Sequence, residues 1–280
     1  MRLRFIRENM TRDKVKVREL HYSPTNTYLI EGEDGSILFD TGWAGTFTGF
    51  CAALGEIRAS VADIRYILIS HFHPDHMGIS QKIADHGPRI IIMDVQKDHI
   101  HSADHYFEKE GRSGFKPITD EQVFMLPVSE SRSFLKKTGF DGEILHTPGH
   151  SEDSISLWLD EGLLFVGDLN PLSELELHKG TEIGKSWERL LALNPGRIYY
   201  GHAKTAIMEE PHTKSGSDEN DLHDLVRMIM KLIDRGCRID QICKKTGADR
   251  IFIEDVTRMY LTHQNVGVQG ILDRIEIKNR

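Results

Sequence analysis

The sequence predicts an α/β fold of two β-sheets packed face to face with helices outside, carrying a helical region at its C-terminal end. Three observations predict it. Apolar runs of strand length, Ile64–Ile69 and Arg89–Met93 among them, alternate with stretches of helical periodicity. Polar, turn-forming residues follow these runs, as in Asp40-Thr41-Gly42, His71–His76, Gly167-Asp168 and Gly201-His202. Strand ends that converge on one edge of a sheet have this pattern. After a polar stretch at 211–218 the periodicity is helical throughout.

Along the chain, residues 14–20, 27–31 and 36–39 read as strands. Phe47, Phe50, Cys51 and Leu54 recur at helical spacing and place a helix over 45–55. The run 64–70 is a buried strand, 78–84 a helix and 89–93 a second buried strand. Residues 94–109 are expected to be helical, carrying His99, His101 and His105. His101 and His105 are four apart, so a helix puts them on one face. The simple reading of that face is solvent exposure, and the sharper one is contact with substrate. The span Gly111–Asp141 carries a short helix at 129–138, and strands follow at 142–146, 154–159 and 162–166. Ser186 is expected to cap the helix that runs through Trp187 and Leu193, and 197–200 is a further strand.

Pro211–Asp218 marks a boundary between a catalytic domain over 1–212 and a helical region over 213–280. Helices are expected there at 219–235, with Leu222, Leu225, Met228, Ile229 and Leu232 on one face, at 239–246 and at 254–277.

Composition narrows the function. The 280 residues are 39% hydrophobic and 28% charged, which suits a globular protein. The formal net charge of −8 repels nucleic acid and anionic membrane. No long basic run offsets it, since Lys136-Lys137 and Lys244-Lys245 are only pairs. Eleven basic side chains face eleven acidic ones from Asp218 to Arg280, which argues against a nucleic-acid-binding helix-turn-helix. The C-terminal helices are then a wall of the substrate cleft or a homodimer contact. No stretch approaches the roughly 18 apolar residues of a membrane span. Met1–Glu8 has no apolar core of signal-peptide length. The three cysteines, Cys51, Cys237 and Cys243, form no metal or redox motif. A cytoplasmic protein with free thiols is the expectation.

The chemistry is concentrated in His71-Phe72-His73-Pro74-Asp75-His76, four potential metal ligands in six residues directly after a buried strand. Neutral imidazole and carboxylate suit zinc, iron and manganese. His-x-His puts two side chains on one side of an extended loop, so both reach one ion. Asp75 and His76 follow where the chain turns and point elsewhere, which suggests two ions side by side. His150, Asp168 and His202 each stand beside a glycine, at a turn or just past an apolar segment. Fifteen histidines occur in all, so a lone one means little; the series is what points to metal.

The set His71, His73, Asp75, His76, His150, Asp168 and His202 resembles the ligand set of the binuclear metallo-β-lactamase superfamily, in order and spacing. The likeness runs from about Asn26 to His202, and Ile37–Gly42 is similar to that family's strand-Asp-Thr-Gly turn. The resemblance implies a four-layer αββα sandwich with a helical C-terminal appendage. It implies that His71, His73 and His150 hold one ion, that Asp75, His76 and His202 hold the second, and that Asp168 bridges them. Asp40 would orient a ligand histidine by hydrogen bonding. The cofactor so implied is a pair of divalent ions, zinc first, with iron or manganese also suited.

Two such ions roughly 3.5–4 Å apart can share a hydroxide and aim it at a carbonyl carbon or a phosphorus. The expected function is hydrolysis of an ester-like bond in a small molecule, a thioester, lactone or phosphodiester, with Asp75 and Asp168 as the catalytic carboxylates. Zinc β-lactamases generally carry a cysteine or another residue where Asp168 stands, so an antibiotic hydrolase is not expected. Asp75-His76 with Asp168 looks more like glyoxalase II, the lactonases and the nuclease branches. Two readings of other classes stand beside it. One is a persulfide dioxygenase-like oxidoreductase using a single iron on His71, His150 and Asp168. The other is a regulatory protein that keeps the metal site with little turnover.

Overall fold

The computed structural model describes residues 15–111, 114–208 and 217–262. The boundary residues 211–216 and the 263–277 part of the helix expected over 254–277 lie outside the described residues, as does the side chain of Leu222. The chain falls into two compact units, residues 1–146 with 157–161, and 147–156 with 162–280. The α/β expectation holds: two mixed sheets are flanked by helices, with further helices toward the C-terminal end.

The first unit holds a six-stranded sheet in simple order, β1 (Lys16–Leu20), β2 (Thr27–Gly32), β3 (Gly35–Phe39), β4 (Ile64–Leu68), β5 (Arg89–Met93) and β6 (Val123–Leu126). The first three strands pair antiparallel, and β3 through β6 pair parallel. Parallel strands are covered on both faces, which is why β4 and β5 read as nearly unbroken apolar runs. Ile90 through Met93 have no exposed surface. The edge strand β1 is instead exposed or half-buried until Leu20, and Arg18 donates to Glu31 across the ladder at 3.3 Å. Charges on an edge discourage pairing with another chain. Phe50 and Leu54 of α1 (Phe47–Glu56) join the core against this sheet, with Ile67, Ile90, Ile92 and Phe107.

The second sheet runs in the order β11 (Ala206–Ile207), β10 (Arg197–Tyr199), β9 (Leu163–Phe165), β8 (Ile155–Leu159) and β7 (Gly142–His146). β9 and β10 pair parallel, so their C-terminal ends leave the sheet side by side. In the second unit α7 (Ser217–Asp234), α8 (Ile239–Thr246) and α9 (Arg250–Thr262) share a core of Val226, Ile229, Met230, Leu232, Ile242, Ile253 and Val256.

Two expectations are corrected, and short elements that the sequence does not show are added. The helix placed at 78–84 is present as α3 (Ser80–Ala84), and a separate short helix, α2 (Pro74–Met77), precedes it. Pro74 fits the first turn of α2, where its missing N–H costs nothing. The helix placed at 94–109 is a 3-10 turn at Asp94–His99 followed by α4 (Asp104–Lys109), so His101 and His105 share no helix. Helix α6 (Glu182–Leu191) starts earlier than Ser186. Its cap is Thr181, whose hydroxyl accepts from the Gly184 N–H at 3.3 Å, while Ser186 is buried and donates to the Pro148 carbonyl at 2.8 Å. Strands β6 and β11 escape the sequence reading, both being short and at sheet edges.

Candidate metal centre

In the first unit the site is built by loops that leave the C-terminal ends of β3, β4 and β5. These strands are parallel neighbours, so the Asp40 turn, the His71–His76 loop and the 3-10 turn at Asp94–His99 emerge along one edge. Gln96 is fully buried and donates to the Ile69 carbonyl at 3.0 Å, bracing the backbone just before the ligands.

The loop explains the two directions of its side chains. His71 and His73 lie on extended chain. His73 then caps α2, so Asp75 and His76 fall on a helical turn. The His71 Nε2 lies 2.9 Å from the His73 Nδ1. Two imidazole nitrogens this close need either a proton between them or a shared cation in front of them. One ligand atom of His71 also lies within 4.8 Å of one on His76, as does one of Asp75 and His76. The Thr25 hydroxyl, fully buried, donates to Asp75 Oδ2 at 3.4 Å.

Asp40 organises the loop. Its Oδ1 accepts from the Ser70 N–H at 2.7 Å, and its Oδ2 from the Ser70 hydroxyl at 2.9 Å and from His76 Nδ1 at 2.8 Å. The Ser70 hydroxyl also stands 3.0 Å from His71 Nδ1. With Nδ1 engaged in both histidines, Nε2 is the nitrogen directed to a metal. Asp40 adopts a left-handed backbone, φ 62°, a conformation that non-glycine residues take at a cost and mostly where a site requires it. The turn after it is clamped to the ligand loop. Thr41 N–H donates to the His76 carbonyl at 2.7 Å and Gly78 N–H to the Gly42 carbonyl at 2.9 Å. The Tyr22 hydroxyl is kept protonated, its pKa raised by burial and further by the negative charge of Asp40.

In the second unit Asp168 follows β9 and Gly167, and His202 follows β10 and Gly201. The Gly201 N–H donates to the Gly167 carbonyl at 2.6 Å and locks the two turns together. Asp168 Oδ2 stands 3.6 Å from His150 Nε2 and 3.5 Å from His202 Nε2. One carboxylate oxygen thus lies between two imidazoles. The His150 turn is fixed by Ser186 on the Pro148 carbonyl and by Gly149, where an added Cβ would come within 2.5 Å of Ile183.

The donor set fits divalent metals. Two donors on one tetrahedral zinc at about 2.0–2.1 Å stand roughly 3.3 Å apart. The pairs at 2.9, 3.5 and 3.6 Å bracket that value. Of the seven residues expected from the sequence, His71, His73, Asp75 and His76 stand together in the first unit, and His150, Asp168 and His202 in the second. The sequence does not single out Thr25, Ser70 or Gln96. Their partners Asp75, Asp40 and Ile69 are distant in the chain, so no local pattern marks them. His101 is a separate matter: it is exposed and pairs with Asp104 at 2.8 Å.

Comparison with known proteins agrees. A family model described as the metallo-beta-lactamase superfamily matches residues 22–202. The Beta-lactamase-like protein 2 homolog of Drosophila melanogaster is 30% identical over 203 residues, which are 67% of this chain and 60% of that protein. The Caenorhabditis elegans protein of the same description is 33% identical over 187 residues, 64% of this chain and 55% of that one. The chain therefore spans little more than half the length of these two relatives. A probable metallo-hydrolase of Methanocaldococcus jannaschii is 34% identical over 155 residues, 55% of this chain and 70% of that one. Among solved structures, a metallo-beta-lactamase family protein of Thermus thermophilus has a TM-score of 0.53 at 19% identity, covering 79% of this chain and 83% of that one. A second, solved in a di-iron-bound form, has a TM-score of 0.52 at 23% identity, covering 69% and 94%. These two likenesses are of fold.

Proposed function

The chain belongs to the metallo-β-lactamase superfamily, and from that premise we propose that it is a binuclear metal-dependent hydrolase cleaving an ester-like bond, a thioester, lactone or phosphodiester, of a small molecule. The superfamily consists mostly of metal-dependent hydrolases that bind divalent ions, and this chain has the matching histidine and aspartate groups. The observation that carries the finer reading is Asp168, whose Oδ2 stands between His150 and His202 at 3.6 and 3.5 Å. A carboxylate oxygen that neighbours two imidazoles supports the reading in which Asp168 would serve two ions at once.

In this reading His71, His73 and His150 hold one ion, Asp75, His76 and His202 the other, and Asp168 both. Bound there, the ions supply Lewis acidity, lowering the pKa of water from 15.7 to about 7 and polarising the oxygen under attack. The protein's own residues do the rest. Asp40 holds the proton of His76 on Nδ1 and so fixes the ring. Ser70 links Asp40 to His71. The Thr25 hydroxyl fixes the Asp75 carboxylate, which orients the attacking water. Activity belongs to residues 1–212, and the helical region 213–280 borders the substrate or joins two copies of the chain. We place the enzyme in the cytoplasm; no helix among the described residues is long and apolar enough to cross a membrane.

The test is metal content by mass spectrometry, joined to a panel of thioesters, lactones and phosphodiesters. About two zinc, manganese or iron ions per chain, with turnover that a chelator abolishes and the same ion restores, is the expected result. One iron per chain with oxygen uptake, or no metal after metal-supplemented expression, overturns it.

A further inference from the structure

The segment after Asp168 is tied down more heavily than an ordinary connection needs. The indole N–H of Trp187, which is fully buried, donates to the Asn170 carbonyl at 2.8 Å. The Asn170 side-chain amide donates to Glu174 Oε2 at 2.9 Å. The Leu172 N–H reaches the hydroxyl of Tyr200 at 3.4 Å, two residues before His202. The Arg227 guanidinium, on α7, donates to the Ser173 carbonyl and pairs with Asp224 at 3.0 Å. These ties fix residues 170 to 174 at four points just beyond the carboxylate that stands between two ligand histidines.

Two of the anchors are poor choices for stability alone. Glu174 is 1% exposed, and its Oε1 is buried with no hydrogen-bond partner. Nε of Arg227 is likewise buried without one. A buried polar atom without a partner destabilises a fold, and an apolar side chain of the same volume is often as good or better. Their presence calls for another account, and the backbone they hold supplies it. Arg227 stands on a packed helix. Its neighbours Val226, Ile229 and Met230 are locked among Ile242 of α8 and Ile253 and Val256 of α9.

We propose that Arg227 and Glu174 are positioning residues for Asp168, so that the packed C-terminal helices, through Arg227, hold the 170–174 backbone and set the affinity of the centre for its ions. This rests on the metal-centre reading above. Neither residue touches the reacting atoms. Each acts through the chain that carries Asp168, and the C-terminal helices become part of the enzyme's tuning rather than an attached module.

The test uses the full chain and two readouts. Hydrogen exchange of the metal-free protein reports the 168–178 segment directly. Zinc affinity is then measured by competition with a chromophoric chelator. In Arg227→Ala, exchange at 168–178 is expected to speed at least tenfold while 155–165 is unchanged, and zinc binding to weaken tenfold or more. Arg227→Lys, which keeps a donor for the Ser173 carbonyl, should recover most of both. Should Arg227→Ala not fold, Glu174→Gln keeps the volume, weakens the acceptor for Asn170, and has to show the same paired change. Unchanged exchange at 168–178 overturns the proposal, and so does faster exchange with wild-type zinc affinity. A wild-type chain that takes up no zinc, iron or manganese sinks the metal-centre reading instead, and the exchange result still decides whether Arg227 holds the segment.

Discussion

Nδ1 of His76 lies 2.8 Å from Oδ2 of Asp40, and neither side chain is more than 1% exposed. A buried carboxylate on Nδ1 settles which nitrogen carries the proton and raises the basicity of the other as a ligand. Asp40 reaches this place through a left-handed turn, φ 62°. Asparagine tolerates that backbone as well as aspartate does. Asp40→Asn therefore removes the charge and leaves the turn. Metal affinity is expected to fall by about 10- to 100-fold, the usual effect of losing such a partner. Chelator competition measures it, and wild-type affinity would take Asp40 out of the centre.

In the proposed centre, His73 and Asp168 act through their ligand atoms. His73 is exposed, and Asp168 is partly so, so neither is an element of the packed interior. His73→Ala and Asp168→Ala are each expected to reduce hydrolysis at least about a hundredfold, by loss of the ion chemistry they support. Circular dichroism and the melting temperature of the metal-free protein should stay at wild-type values. Undiminished turnover in either variant removes that residue from the mechanism.

Gly78 tests the clamp between the Asp40 turn and the ligand loop. A Cβ there would lie 2.2 Å from the Ala44 nitrogen and 2.6 Å from the Trp43 carbonyl carbon. Both are backbone atoms and cannot swing aside. Gly78→Ala should lose about 1–3 kcal/mol of stability, as overpacking does. It should also lower metal occupancy, because the displaced turn carries Asp40. Gly55, in the exposed end of α1 with nothing within 4 Å of an added Cβ, is the control. Its replacement by alanine should be neutral or stabilising by up to about 1 kcal/mol. Denaturant melts of the two variants decide, and equal midpoints would refute the clamp.

The clamp also marks the line between what is legible in the sequence and what is not. β4 and β5 are plain because strands covered on both faces need continuous apolar side chains. The candidate ligands are plain because four donors in six residues serve few other ends. The features that escape are short or distant. Helix α2 is four residues long, too short for any periodicity to show, and only Pro74 hints at it. The cap at Thr181 is masked by Ser186 because Gly184 makes the true first turn a poor helix former by propensity. Ser186 serves the His150 turn instead. Thr25 and Asp75 are 50 residues apart, and Gln96 and Ile69 are 27 apart, so these contacts exist only once the sheet has formed.

The pair of Arg132 and Asp160 carries a pH prediction away from the centre. Arg132 donates to Asp160 through both terminal nitrogens, at 2.8 and 3.2 Å, and to Glu143 at 3.1 Å. The hydrogen bonds from Arg132 hold the Asp160 carboxyl below the ordinary aspartate value, although partial burial pulls the other way. A carboxylate depressed in the folded state binds its proton more weakly there than in the unfolded chain. Its contribution to stability is thus complete above the unfolded value of about 3.9 and is lost as the pH falls through the depressed folded value. The two side chains are 50% and 44% exposed, so water and salt screen the pair, and its worth is under about 1 kcal/mol. Arg132→Ala is therefore expected to lower stability slightly at pH 7, by less in high salt, with the difference from wild type shrinking below pH 4. Urea melts of both proteins at pH 7 and pH 3 check this. A deficit that persists undiminished at pH 3 would mean that packing of the Arg132 stem, and not its charge, is what the protein uses.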